Sequence, residues 1–316
     1  MLKYIVKRIL VSILVFLGIT FLVFTMSNLA PGGPMDLLTA DANLSPEAYE
    51  ALKISLGLDK PIITRYGIWL ADFCRGDMGT SYRFNTPVST LIGERIGPTL
   101  LLMGTSLGLA LIVAIPLGIL VSIKPFGKLD CFCNGFAFLG QAIPTFFYSL
   151  VLVYIFSAKL GWLPMLGMNT TGKTGAWDTI QHMIMPVMVL SWHQMASFIR
   201  YTRASMMESR NADHVKTARS KGISLGAVYI KHIFRNALIP VVTQIGLQVP
   251  LLIGGAVVVE KIFSWPGIGS LLINAITYRD YPIIMGVTCL IAVAVLVTNL
   301  LLDILYARLD PRISYQ

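Results

Sequence analysis

The sequence predicts an all-α polytopic membrane protein: six transmembrane helices, an external helical subdomain after the first, and a basic cytoplasmic loop between the fourth and fifth. Three observations predict it. Of 316 residues, 55% are hydrophobic and only 13% charged, with a mean hydropathy of +0.71; a soluble domain carries roughly a quarter charged residues. Six long stretches contain no Asp, Glu, Lys or Arg. One long polar segment, from about Tyr201 to Pro240, interrupts them.

The six stretches are Ile9–Met35, Ile96–Ile123, Cys131–Ala158, Thr179–Ile199, Asn236–Val259 and Tyr281–Leu302. Each has about 20 residues or more, and a rise of about 1.5 Å per residue carries such a helix across a roughly 30 Å hydrocarbon core. Lipid offers no hydrogen bonds, so the backbone must satisfy itself and the spans are helices. The first stretch follows Lys3, Lys7 and Arg8 but is longer than the apolar core of a secretory leader, and is expected to stay as a membrane helix. Pro116, Pro144, Pro186 and Pro250 fall within spans and predict kinks.

Orientation follows from Lys and Arg. With the N-terminus inside, the cytoplasmic face receives Lys3, Lys7, Arg8, Lys124, Lys128, the basic segment, Arg308 and Arg312. The short outside loops receive only Lys159, Lys173, Lys261 and Arg279. This placement explains the net charge of +9 without nucleic acid. The four cysteines give no disulfide framework, and Cys131 and Cys133 read as small apolar residues.

Residues 1–30 form the tail and first helix, 31–97 an external subdomain, and 98–316 a five-helix core. In the subdomain, Ser45-Pro46-Glu47 combines a capping hydroxyl, proline at the first helical position and an acidic first turn. That helix is expected to end near Gly57, with a second over Pro61–Trp69, a turn at Gly76–Gly79, and an amphipathic stretch Pro87–Arg95 leading into the second span. Either a lid packed on its own helices or a surface for a delivering partner fits.

Gly167-Met-Asn-Thr-Thr-Gly172-Lys173-Thr174 fits the phosphate-loop pattern G-x-x-x-x-G-K-S/T. That chemistry needs a strand before the loop and a helix opening after it. Here the pattern follows a membrane helix on the outside, and reads as a turn. Asn43 and Asn169 match the glycosylation pattern by chance.

Ionisable groups inside spans are functional candidates. They are His182, His193 and, at the inner end of the sixth span, Asp303, which can be solvated or paired with Arg308. Gln244 and Gln248, four apart, share one helix face and are candidates for lining a hydrated pathway; hydrogen bonding between helices is the alternative.

The segment 201–235 carries Arg203, Arg210, Lys216, Arg219, Lys221, Lys231 and Arg235 against Glu208 and Asp213. Two short helices separated by Gly222-Ile-Ser-Leu-Gly226 are expected. Ala218 and Gly222, four apart, would put two small side chains on one face, where a partner backbone can approach, with Arg219 and Lys221 steering an acidic partner. An amphipathic helix lying on anionic lipid is the other reading.

The run Asp213-His-Val-Lys-Thr-Ala-Arg-Ser-Lys-Gly222, continued by Arg235-Asn-Ala-Leu-Ile-Pro240, resembles the cytoplasmic loop of binding-protein-dependent ABC importer permeases of the dipeptide/oligopeptide/nickel type. Leu56-Gly-Leu-Asp-Lys-Pro61, Gly76-Asp77-Met-Gly79 and Arg95 before Pro98-Thr-Leu100 resemble the external loop of their first permease subunit. Gly254-Gly-Ala-Val-Val-Val-Glu260, Phe263-Ser-Trp-Pro-Gly267, Gly269, Arg279-Asp-Tyr-Pro282 and Leu309-Asp-Pro-Arg312 resemble its C-terminal signature. Lys216-Thr217-Ala218 stands where such importers commonly carry Glu-Ala-Ala, so a salt bridge based on that Glu does not carry over.

The resemblance implies a non-enzymatic permease subunit of a peptide importer in a bacterial or archaeal cytoplasmic membrane, with both termini cytoplasmic. It implies a second homologous permease subunit, two ABC ATPase subunits that hold ATP and magnesium, an extracytoplasmic substrate-binding protein and surrounding membrane lipid. No catalytic, cofactor or metal residue is implied in this chain. Arg210, Asp213, His214, Lys216, Thr217, Ala218, Arg219, Lys221 and Gly222 would form the coupling helix that docks the ATPase. Nickel chelates or glutathione are alternative cargoes. An ion-driven carrier would call for a mid-membrane carboxylate; a membrane enzyme would call for catalytic groups that the 31–97 loop, with carboxylates but no His, does not offer.

Overall fold

The computed structural model describes residues 2–29, 45–55, 57–173 and 175–309. Asn43, Leu56, Thr174 and Arg312, named above, lie outside the described residues, as do the side chains of His214 and Arg308. Among the described residues all regular elements are helical.

α1 (Leu2–Leu29) is the first apolar stretch. α2 (Pro46–Ser55) begins where the Ser45 hydroxyl accepts the Ala48 N–H at 3.2 Å. It is followed by Gly57 at φ +65°. α3 (Ile62–Cys74) lies on α1: Tyr66 and Trp69 pack around Phe24, Phe73 lies against Phe16, and the Tyr66 and Thr20 hydroxyls share a hydrogen bond of 2.9 Å. In the described part of the segment 31–97, α3 is thus packed on α1.

α4 (Val88–Ile123) is one continuous helix of 36 residues. The stretch Pro87–Arg95 is thus its first turns rather than a separate element, and residue 97 falls inside it. Val88, Leu91 and Ile92 explain why: they are buried against Ile268, Leu271, Ile283 and Val287. α5 (Lys128–Ala142) and α6 (Thr145–Leu152), the latter widening into π-helical turns over Val153–Lys159, meet at a 98° bend. Pro144 supplies the break, because it has no N–H to continue the helix.

α7 (Ala176–Arg210) crosses α5, with Trp192 donating to the Phe136 carbonyl at 3.2 Å. α8 (Asp213–Ser220) follows, then a helical start at Leu225–Ala227 and π-helical turns over Val228–Phe234 that run into α9 (Arg235–Gly254). Gly255, at φ +75°, separates α9 from α10 (Val257–Ile262), so the fifth apolar stretch is interrupted. α11 (Ile268–Thr277) and α12 (Tyr281–Leu309) complete the chain.

By length and composition, Val6–Leu29, Val88–Ile123 and Tyr281–Ile304 can each cross a membrane, and the bent α5–α6 pair is a fourth candidate among the described residues. α7 is long enough, but His182, His193 and Gln194 dilute its apolarity. The buried heart of the bundle joins Leu102, Met185, Val189, Phe263 and Trp265.

Candidate functional site: the loop between α7 and α9

α8 begins with Asp213 in its first turn and has Arg219 in its last, each matching the helix dipole. Gly222 ends it at φ +74°, with the Gly222 N–H donating to the Arg219 carbonyl at 3.0 Å and the Ile223 N–H to the Ala218 carbonyl at 3.4 Å. This is the left-handed glycine stop, which other residues adopt at a cost.

The helix has two unlike faces. Val215 and Ala218 are buried with Met206, Val228, Tyr229, Ile233 and Ala237. Asp213, Lys216, Thr217, Arg219 and Lys221 are exposed. Lys216 pairs with Asp213 at 2.8 Å, but both are largely exposed, so the pair contributes little to stability. The Thr217 hydroxyl donates to the Asp213 carbonyl at 3.0 Å.

The expectation that Ala218 and Gly222 present a small-residue face to a partner is corrected here. Ala218 is only 5% exposed and faces the chain's own bundle, while Gly222 lies past the helix end. The outward face is instead polar.

Arg203 also differs from its place in the basic segment. Its guanidinium grips Asp130 in bidentate fashion at 2.7 and 2.8 Å. Asp130 is 2% exposed and also accepts the Phe126 N–H at 2.8 Å and the Asn134 amide at 2.7 Å. This pair ties the α4–α5 turn to the end of α7. Charge counting alone does not reveal it, since its partners stand far apart in sequence.

The remaining polar candidates sit elsewhere. Gln244 and Gln248 are half-buried on α9, away from α8 in sequence and unpaired through their side chains among the described residues. His182 is buried, with Nδ1 2.8 Å from the Asp178 carbonyl, whereas His193 is exposed and 3.2 Å from the Gly140 carbonyl. Asp303 pairs with Arg8 of α1 at 3.1 Å. Cys131 is exposed and Cys133 buried. No three His, Cys, Asp or Glu groups converge on a metal position among the described residues.

The Gly167–Lys173 stretch is a turn held by Asp178, which accepts the Thr170 N–H at 2.6 Å and its hydroxyl at 2.7 Å. No strand precedes it. These bonds favour the charged carboxylate and hold Asp178 below the usual carboxylate range. A depressed folded-state value means that the latch is fully present above the ordinary Asp pKa of about 3.9 and is lost as pH falls through the lowered value. Protection of the Thr170 amide, relative to its intrinsic exchange rate, is therefore expected to be unchanged from pH 7 to 5 and to fall only under more acidic conditions; a loss of protection between pH 7 and 5 would remove this role for Asp178.

A second buried carboxylate, Glu260, is fully enclosed. It accepts the Thr99 hydroxyl at 3.0 Å and the Ser270 N–H at 2.9 Å, joining α4, α10 and α11. The sequence marked it only as part of a signature.

The described residues form a bent bundle of apolar helices with a short, half-seated helix in its polar loop. The chain matches the family described as "Binding-protein-dependent transport system inner membrane component" over residues 114–315, and the corresponding N-terminal family over residues 1–103. It belongs to that family and is a permease component of a binding-protein-dependent ABC transporter, with ATPase activity in separate subunits.

It is 45% identical over 317 residues to the oligopeptide transport system permease protein AppB of Bacillus subtilis, with 100% of each chain covered. It is 36% identical over 338 residues to the dipeptide transport system permease protein DppB of Escherichia coli, again with 100% of each covered. It is 38% identical over 316 residues to the glutathione transport system permease protein GsiC of Pectobacterium atrosepticum, also with 100% of each covered. A structure of the inward-facing MetNI methionine ABC transporter shares the fold, with a TM-score of 0.55 at 14% identity over 70% of this chain and 97% of that one.

Proposed function

We propose that this chain lines half of a peptide-import pathway and that α8 is the element through which ATPase subunits drive it. In this reading the chain crosses six times, counting α7 and the interrupted α9–α10 stretch, and both termini and α8 are cytoplasmic, which the Lys and Arg distribution supports. A second permease subunit supplies the other half, two ATPase subunits sit beneath, and an external binding protein delivers di- or oligopeptides.

One observation carries the coupling role. The inner face of α8 is locked into the bundle by Val215 and Ala218, while its polar face is open. Force on the open face is transmitted to α7 and α9 through packed side chains instead of being absorbed by a loose loop. Closure of the ATPase pair would then shift the population of the transmembrane pair towards an outward-open state, and hydrolysis would reset it. Asp213, Lys216, Thr217 and Lys221, on the open face, are the proposed contact residues, while Arg210 and Arg219 border the hollow beside α8.

Substrate class rests on the full-length likeness to AppB. The likeness to GsiC supports glutathione, itself a short peptide, as a second cargo.

Gly222→Val tests the coupling. Space is open around Gly222, so the penalty arises from φ +74° alone. Left-handed backbone costs a residue with a Cβ about 1–2 kcal/mol, which is roughly five- to thirtyfold in population. Peptide uptake in reconstituted vesicles is expected to fall by that order, with assembly and ATP hydrolysis retained. Wild-type uptake would refute the coupling role.

A further inference from the structure

A cavity of about 540 Å³ opens between the end of α4, α8 and the π-helical turns before α9. Its floor includes Ile119, Leu120 and Ile123, and its rim carries Lys124, Arg210 and Arg219. No carboxylate lines it. None of the three cations has a side-chain hydrogen bond or ion pair among the described residues.

Its level in the membrane is set by the chain itself. The apolar run of α4 ends at Ile123 and Lys124 follows. In the adjoining turn and α5, Phe126 is 84% and Phe132 70% exposed. Cations with exposed aromatic residues at the end of a span mark the interface between hydrocarbon and headgroups. Three unpaired cations above an apolar floor at that depth match an amphiphile with an anionic head.

We propose that this cavity binds one anionic glycerophospholipid, its phosphate diester among Lys124, Arg210 and Arg219 and its acyl chains over Leu120 and Ile123. The lipid bridges the end of α4 to α8, filling the space beside the coupling helix and leaving the outward face of α8 to the ATPase. This goes beyond the transport reading, and its test reads bound lipid rather than uptake, so the two fail independently.

The intact transporter is placed in phosphatidylcholine nanodiscs containing dioleoyl phosphatidylglycerol, and retained lipid is counted by native mass spectrometry. One phosphatidylglycerol is expected to stay with the wild type. Lys124→Gln removes one cation at the surface and is expected to weaken retention about fivefold. Leu120→Trp fills the floor without changing charge and is expected to weaken it as well. Equal retention in the wild type and both variants overturns the proposal. Displacement of the lipid by glycerol 3-phosphate with no effect of Leu120→Trp overturns it too, because the ligand is then a soluble phosphate. If either variant fails to assemble, wild-type transporter is labelled with phosphatidylglycerol bearing a diazirine in its acyl chain. Adducts at 119–123 support the site; adducts confined to other helices, or an ATPase peptide crosslinked into the cavity, overturn it.

Discussion

Arg203→Met is expected to unfold the end of the bundle beside α8 and abolish transport, although Arg203 lies outside α8. The substitution strands the Asp130 carboxylate, which is 2% exposed and loses both of its guanidinium bonds. Removing one member of a buried ion pair costs about 3–5 kcal/mol, a large part of the stability of an ordinary domain. The double variant Asp130→Leu/Arg203→Met removes both charges, and replacing a whole buried pair with apolar residues is often neutral. It is therefore expected to recover most of the thermal stability of the detergent-solubilised complex. If Arg203→Met alone melts like the wild type, the pair is not a brace. If the double variant is no better than the single one, the Phe126 and Asn134 bonds to Asp130 matter more than the charge pair.

Gly269→Ala is expected to be damaging as well, through shape and through the polar groups it displaces. A Cβ at this position would stand 2.7 Å from the Val257 Cα and 2.9 Å from the Glu260 Oε2. The first neighbour is backbone and cannot rotate away. Overpacking a tight core costs about 1–3 kcal/mol, and here it also pries the Ser270 N–H from the Glu260 carboxylate, leaving buried polar groups without partners. Chromatography of the fluorescently tagged transporter should show aggregation or loss of the second permease subunit. Gly226→Ala is the control, since nothing lies near that position. Equal behaviour of the two variants would show that the packing around Glu260 tolerates displacement.

The two cases show what sequence does and does not carry. Long apolar stretches dictate membrane helices because lipid leaves the backbone no alternative, and the stretch Ile96–Ile123 was legible for that reason. The stretch Pro87–Arg95 was legible as an amphipathic lead-in, but its partners were not, because Val88, Leu91 and Ile92 pack on Ile268, Leu271, Ile283 and Val287, far along the chain. Pro144 signalled a kink, but the 98° bend depends on how α5 crosses α7. The polar loop stood out by composition, and Gly222 as a helix stop obeys local rules. The direction of Ala218 does not, because a small residue fits equally well against a partner or against Tyr229. Arg203 was counted with the free cations because a bidentate grip is a matter of distance, and Asp130 is 73 positions away.

α4 reaches both ends of the bundle. At a rise of about 1.5 Å per residue it is a rod of roughly 54 Å, wedged at one end among α11 and α12 and bordering at the other the hollow beside α8. The two ends share one rigid body, so a tilt that loosens one must swing the other at the same instant. Under this geometry alternating access needs no chain of side-chain switches through the membrane. Opening on one side and closing on the other are then a single seesaw movement, with α4 as the beam.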